Sequence, residues 1–235
     1  MFIPIGDDNS MRRRTPWVVW ALVVINAYAW FLTLELGDTF LASYATIPYE
    51  ITSGIDLRSA RLATVSGSVE SIPQAPGPHP IYLTLVTSMF LHGSWLHIIG
   101  NMTYLLIFGD QIEDRLGHSR FLLFYLLAGV LAGLAQVFAE PTSIIPCVGA
   151  SGAIAAVLGA YLLLYPRNAV HVLFFRSVIH VPAFVVLAFW GFMQIRGHLG
   201  APGAQGGVAY MAHIGGFVVG AAFGIITRIV SIARR

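Results

Sequence analysis

Two residues in this chain have the types and settings for nucleophilic chemistry. Ser151 sits in Gly149-Ala150-Ser151-Gly152 at the opening of one apolar run, and His213 sits in Ala212-His213-Ile214-Gly215-Gly216 at the opening of another. A serine hydroxyl beside an imidazole is an activated nucleophile for acyl transfer. A third run carries His97 and Asn101, four residues apart and therefore about 40° apart on one helix face. Both could donate to a developing oxyanion, together with the Ser151 amide, because the first amides of a helix are unpaired and carry the positive end of its dipole. Gly149 and Gly152 leave the backbone open for close approach at that oxyanion site. His92, five residues from His97, is expected off their shared face.

Other chemistries fit less well. The His-Glu-x-x-His pattern of zinc proteases is absent, and the remaining histidines, His79, His118, His171, His180 and His198, are scattered and read as packing, interfacial or solvated groups. Asp110 is a single acid at a helix end, whereas aspartyl catalysis needs two carboxylates, so it reads as a charge at a membrane boundary. The lone Cys147 excludes an intrachain disulfide and a thiolate zinc cluster, and reads as a small apolar residue before a helix. No Asp or Glu follows Glu140, so a Ser-His dyad is favoured over a triad, with the histidine oriented by packing and hydrogen bonds. The plainer alternative is that Ser, His and Asn act as hydrogen-bonding glue between helices. Their joint placement at one depth on three helices argues against it.

The elements that must hold these groups are membrane-like. Of 235 residues, 57% are hydrophobic and only 10% charged, far below the roughly 25% of soluble domains, and mean hydropathy is +0.75. A net charge of +2, with arginines at the ends of apolar runs and no lysine, gives no footprint for nucleic acid. The expected fold is all-α, a polytopic bundle of six transmembrane helices in one domain, near 17–36, 94–109, 119–139, 149–165, 178–195 and 208–227. Arg12-Arg13-Arg14 and the apolar run after it mimic a signal peptide, but the Ala-x-Ala at Ala27 to Ala29 lies inside the run, so a retained first helix is expected. A long outer loop, 37–93, separates the first two helices; it is polar to about residue 80, after which Ile81 to Leu91 is too short to span.

With the N-terminus cytoplasmic, ten arginines fall on the inner side and only Arg58, Arg61 and Arg196 outside. Both termini are then cytoplasmic and Ser151 opens to the outer face of what reads as a prokaryotic cytoplasmic membrane. Gly216, Gly220 and Gly224 continue from His213 at steps of four, a ridge that lets another helix approach closely. Gly152, Ala155, Ala156 and Gly159 offer the matching face, and their contact would bring Ser151 to His213. The glycine-dense stretch 197–207 reads as a mobile cap over the outer helix ends.

Taken together, the run from Thr87 through His92-Gly93 to Asn101, then Phe108-Gly109-Asp110, Glu113-Asp114-Arg115-Leu116-Gly117, Gly149-Ala150-Ser151-Gly152 and Ala212-His213-Ile214-Gly215-Gly216-Phe217, resembles the rhomboid family of intramembrane serine proteases over most of residues 80–225. The resemblance implies Ser151 as nucleophile, His213 as general base and acid, and Asn101, His97 and the Ser151 amide as the oxyanion site. It implies transmembrane protein substrates cut near a membrane boundary within the lipid bilayer, and neither metal nor organic cofactor. It also implies movement of the fifth helix, around Phe189, Trp190 and Phe192, with the 197–207 cap. Two features depart from the family pattern: the first loop lacks a Trp-Arg pair, and Ala155 stands where some relatives place an aromatic ring against the histidine. A catalytically silent rhomboid-like protein that binds membrane clients is the alternative, and a small transporter is a weaker one. Silent relatives typically lose the serine or histidine, and no internal repeat supports a transporter.

Overall fold

The computed structural model describes residues 2–10, 12–65, 68–200 and 208–233. The chain opens with strand β1 (Phe2–Asp7) and then the long helix α1 (Trp17–Tyr44), which breaks at Gly37 where φ is 70°. A short helix α2 (Pro48–Ser53) and a hairpin, β2 (Arg61–Val65) with β3 (Ser68–Ile72), follow. A helical stretch over Ile81–Phe90, centred on α3 (Thr84–Thr87), meets α4 (Trp95–Leu116) at an 80° bend. Ser94 sets the start of α4, its hydroxyl accepting from the His97 amide at 3.2 Å.

After α4, Gly117 turns the chain at φ 79° directly into α5 (His118–Ala139). Then come α6 (Ser151–Leu164), a hairpin of β4 (Ala169–Phe174) and β5 (Ser177–Pro182), α7 (Ala183–Gly200) and α8 (Tyr210–Ala233). Strand β1 pairs antiparallel with β4, with an irregularity between Pro4 and Gly6, giving a three-stranded sheet ordered β1-β4-β5.

The fold is thus predominantly helical, and two small sheets qualify the all-α expectation. Among the described residues three helices, α1, α5 and α8, are long and apolar enough to cross a membrane, and the bent 81–116 pair would make four. Helix α6 is apolar but only 14 residues long. The segment expected near 178–195 begins its helix at Ala183, because Ser177–Pro182 forms β5. Alternating β-branched residues on both sides of Phe174-Phe175-Arg176 pair as a hairpin instead. The expected loop over 37–93 is partly ordered: α1 runs to Tyr44, and α2, the β2–β3 hairpin and the 81–90 helical stretch occupy much of the rest. Residues 201–207 of the expected cap lie outside the described residues.

Helix α6 is the centre of the molecule, with every residue from Gly152 to Tyr161 buried. On one side it meets α8 almost backbone to backbone. A Cβ on Gly216 would lie 2.2 Å from the Gly152 carbonyl oxygen, one on Gly220 1.8 Å from that of Ala156, and one on Gly159 2.1 Å from that of Phe217. The ridge of small residues therefore forms the seam that joins these two helices.

At the opposite end of the bundle from Ser151, polar groups tie the N-terminal segment to α4 and α6. Glu113 accepts from the Val18 and Val19 amides at 2.9 and 2.8 Å, capping α1 with a carboxylate where the dipole favours one. Asp110, expected as a boundary charge, is 3% exposed and pairs with Arg12 at 2.6 Å. Asp7 accepts from the Tyr161 hydroxyl near the end of α6, and Asn168 reaches both, at 3.2 Å to Asp7 and 2.6 Å to the Tyr161 oxygen.

Candidate active site

The segment leading into α6 is pinned before the helix begins. Thr46 and Cys147 exchange backbone hydrogen bonds of 3.1 and 2.8 Å, and the Gly149 amide donates to the Ser88 carbonyl at 2.8 Å. Gly149 then takes φ 125°, a conformation that side chains rarely adopt, and a Cβ there would sit 2.7 Å from His97 Nε2. The glycine is required twice, by its backbone angle and by the imidazole beside it. Its amide is committed to Ser88, so its part in the site is to make room rather than to donate.

Ser151 is the first residue of α6, and its Oγ lies 2.7 Å from His213 Nε2. His213 enters from the first turn of α8, one turn before Gly216. Its ring packs edge-on to Tyr210, 6.0 Å from the tilted ring of Trp190, and its Nδ1 lies 2.8 Å from Gln194 Oε1. The support that Ala155 does not provide comes from α7 and from the start of α8.

From α4, His97 and Asn101 face the same space, within reach of the Gly149 backbone. His92 joins them, against expectation. It precedes the Ser94 cap and so obeys no helical-wheel relation to His97. It is fully buried, its Nε2 lies 2.9 Å from Asn101 Nδ2, and its ring stacks edge-on against His97 at 4.9 Å. One Asn101 N–H can thus serve His92 while the amide's second hydrogen stays free for another acceptor.

These groups line a cavity of about 550 Å³ that runs from Ser94 and His97 past Ser151 and His213 down to Leu158 and Trp190. Leu158 is seven residues beyond Ser151 on α6, so the cavity reaches about 10 Å along the helix. Behind Ser151 a second cavity of about 40 Å³ is bounded by polar Thr46, Ser88 and Gln136, room enough for a water molecule. Cys147 borders it, half-buried, with Sγ 3.7 Å from the Ile145 carbonyl. Among the described residues no cluster of metal-ligating side chains occurs. His171 and His180 face each other across β4 and β5, and His118 bonds Glu113, all remote from Ser151 in the fold.

Sequence reasoning missed His92 as a partner of Asn101 and did not single out Gln194. The signal for Gln194 was present: a lone amide inside the apolar run Ala183 to Ile195, where polar groups are costly and tend to be paired.

Residues 80–229 match the Rhomboid domain. The chain belongs to the rhomboid family. Similar family members include the rhomboid protease GluP of Bacillus subtilis, 33% identical over 141 residues, which are 60% of this chain and 26% of that protein. RHOMBOID-like protein 6, mitochondrial, of Arabidopsis thaliana is 30% identical over 149 residues, 60% of this chain and 42% of that protein. RHOMBOID-like protein 4 of the same plant is 27% identical over 229 residues, 93% of this chain and 54% of that protein. This rhomboid chain spans about half the length, or less, of these curated relatives. Family membership and the apolar helices make it an integral, multi-pass membrane protein.

Proposed function

We propose that this rhomboid chain is an intramembrane serine endopeptidase that hydrolyses peptide bonds in or near transmembrane segments of other membrane proteins. The observation that carries the reading is the 2.7 Å approach of Ser151 Oγ to His213 Nε2 at the wall of a cavity large enough for an extended peptide. His213 Nε2 takes the hydroxyl proton as Oγ attacks the scissile carbonyl carbon. The oxyanion develops toward Asn101 Nδ2, His97 and the first-turn amides of α6, with Gly149 leaving room for the His97 imidazole. His213 then returns the proton to the leaving amine nitrogen, which departs as the C–N bond breaks. Water, deprotonated by the same imidazole, cleaves the acyl-enzyme ester and regenerates Ser151.

The same reading has six helices crossing the bilayer, α1, α4, α5, α6, α7 and α8. The arginine-rich end, with Arg12 to Arg14, Arg115 and Arg167, faces the cytoplasm and Ser151 opens to the outer side. The cavity draws its lining from α4 and α7, at Leu96, Gly100, Tyr104 and Trp190, so a substrate segment reaches Ser151 between these helices.

The test is cleavage of a transmembrane reporter in proteoliposomes. Ser151→Ala and His213→Ala each abolish it, a loss on the order of 10⁶ in rate, while inserting and melting like the native chain. Native cleavage by either variant refutes the assignment, as does a fluorophosphonate adduct mapped to a residue other than Ser151.

A further inference from the structure

We propose that Gln194 is a positioning residue that holds His213 in the one tautomer able to activate Ser151. The inference rests on the Ser151–His213 reading above. For the Ser151 hydroxyl to donate to Nε2, that nitrogen must be unprotonated, and a neutral imidazole then carries its hydrogen on Nδ1. In a water-poor setting this N–H needs a fixed acceptor, and Gln194 Oε1 stands 2.8 Å from Nδ1.

The direction of the amide is itself determined. Its Nε2 donates to the Trp190 carbonyl at 3.4 Å. A flipped amide would set its carbonyl against the Trp190 carbonyl, opposing two acceptors. Trp190 and Gln194 are one helical turn apart on α7, so one face of this helix packs a ring beside the imidazole and offers an acceptor to its edge. An amide orients without supplying charge. It fixes the resting tautomer but does not hold the proton on the imidazolium that forms during attack, which leaves His213 free to pass it on.

Gln194 could instead serve only to tie α7 to α8, and two variants separate the roles. Reporter cleavage is measured in proteoliposomes across pH 5 to 9 for Gln194→Leu and Gln194→Glu, alongside Ser151→Ala. Gln194→Leu lowers kcat about 10- to 100-fold, the cost of leaving the Nδ1–H without its acceptor, and leaves KM unchanged. Gln194→Glu keeps the acceptor and rescues kcat at high pH. Its carboxylate also favours the protonated imidazole, so the acid limb of the rate profile moves to higher pH by about one to three units. The other titratable groups facing His213, His97 on α4 and Tyr210 on α8, are the same in every variant.

Native kcat in Gln194→Leu overturns the proposal, and so does an equal, pH-independent loss in both variants. If Gln194→Leu does not fold, the position of the acid limb in Gln194→Glu decides alone, and an unmoved limb overturns it. An active Ser151→Ala would bring down the dyad reading, and this inference with it. An inert Ser151→Ala beside a fully active Gln194→Leu brings down only the role of Gln194.

Discussion

Gly216→Ala adds one methyl group at the place where α6 and α8 are closest to the reacting atoms. Its Cβ would lie 2.2 Å from the Gly152 carbonyl oxygen, 3.1 Å from the carbon of that carbonyl and 3.3 Å from Ala132 Cβ. The nearest atoms are backbone, so no side chain can swing aside. Restoring ordinary contact at about 3.4 Å requires the helices to part locally by about 1.2 Å. Gly152 adjoins Ser151, and Gly216 lies one turn from His213, so the 2.7 Å Ser151–His213 contact opens with the seam. Overpacking of this kind costs about 1–3 kcal/mol of stability, and a displacement near 1 Å at reacting groups costs about 10²-fold in rate. Gly191→Ala on α7 is the control, because nothing lies within 4 Å of its added Cβ. The expected result in detergent and proteoliposomes is a lower melting temperature and about 10²-fold slower reporter cleavage for Gly216→Ala, and neither change for Gly191→Ala. A Gly216→Ala variant with native melting and native kcat refutes the close seam and the argument that it sets the dyad distance.

Asp7 predicts a pH dependence of stability. Burial first, and then the carboxylates of Asp110 and Asp8, raise it to about 7, against the pull of the Tyr161 hydroxyl and Arg12. A folded-state value above the unfolded 3.8 means the folded chain keeps a proton that the unfolded chain has lost. Stability therefore falls as pH rises from about 4 to about 7 and is flat above, by at most on the order of 4 kcal/mol. Asp7→Asn removes this slope and melts higher than native at pH 8; an unchanged slope in thermal melts at pH 5 to 8 contradicts it. His92→Phe fills the buried site but leaves Asn101 without its partner at 2.9 Å. Its kcat falls about tenfold with fluorophosphonate labelling of Ser151 retained, and a native kcat would mean Asn101 is held by other contacts.

The seam and the Ser151–His213 contact were legible because both obey helix periodicity. Steps of four from His213 to Gly224 mark one face of one helix, and Gly152 to Gly159 mark its complement, so residue spacing alone placed Ser151 near His213. Features outside that periodicity were hidden. His92 stands before the Ser94 cap, where wheel arithmetic has no meaning, and the 80° bend carries it back onto Asn101. The β4–β5 hairpin was absorbed into the following helix because Val178, Ile179 and Val181 continue an apolar run, while its tight turn places Phe175, not a glycine, at φ 54°. Gln194 announced a polar group inside an apolar run but not which helix it served. Asp7 and Tyr161 are 154 residues apart, and no local pattern joins them.

On the proposed reading, the placement of Gln194 on α7 is what lets Ser151 and His213 work together without a carboxylate. In a serine triad the buried acid both orients the histidine and stabilises its charged form. Here the two tasks are divided. Position is set by backbone packing: α6 is buried along its length, joined to α8 through glycines, and tied at its far end by the Tyr161–Asp7 bond. Orientation comes from α7, whose buried residues, Ala183, Val186 and Leu187, all lie in the half remote from Gln194. The Ser151–His213 distance thus depends on the close backbone seam between α6 and α8, and the proposed tautomer on a helix segment with little buried surface. A displacement of α7 that widened the cavity beside Trp190 would break the Nδ1 contact before it disturbed the Ser151–His213 distance. The proposed dyad would then keep its 2.7 Å spacing and lose only the roughly 10- to 100-fold that the Gln194 contact supplies.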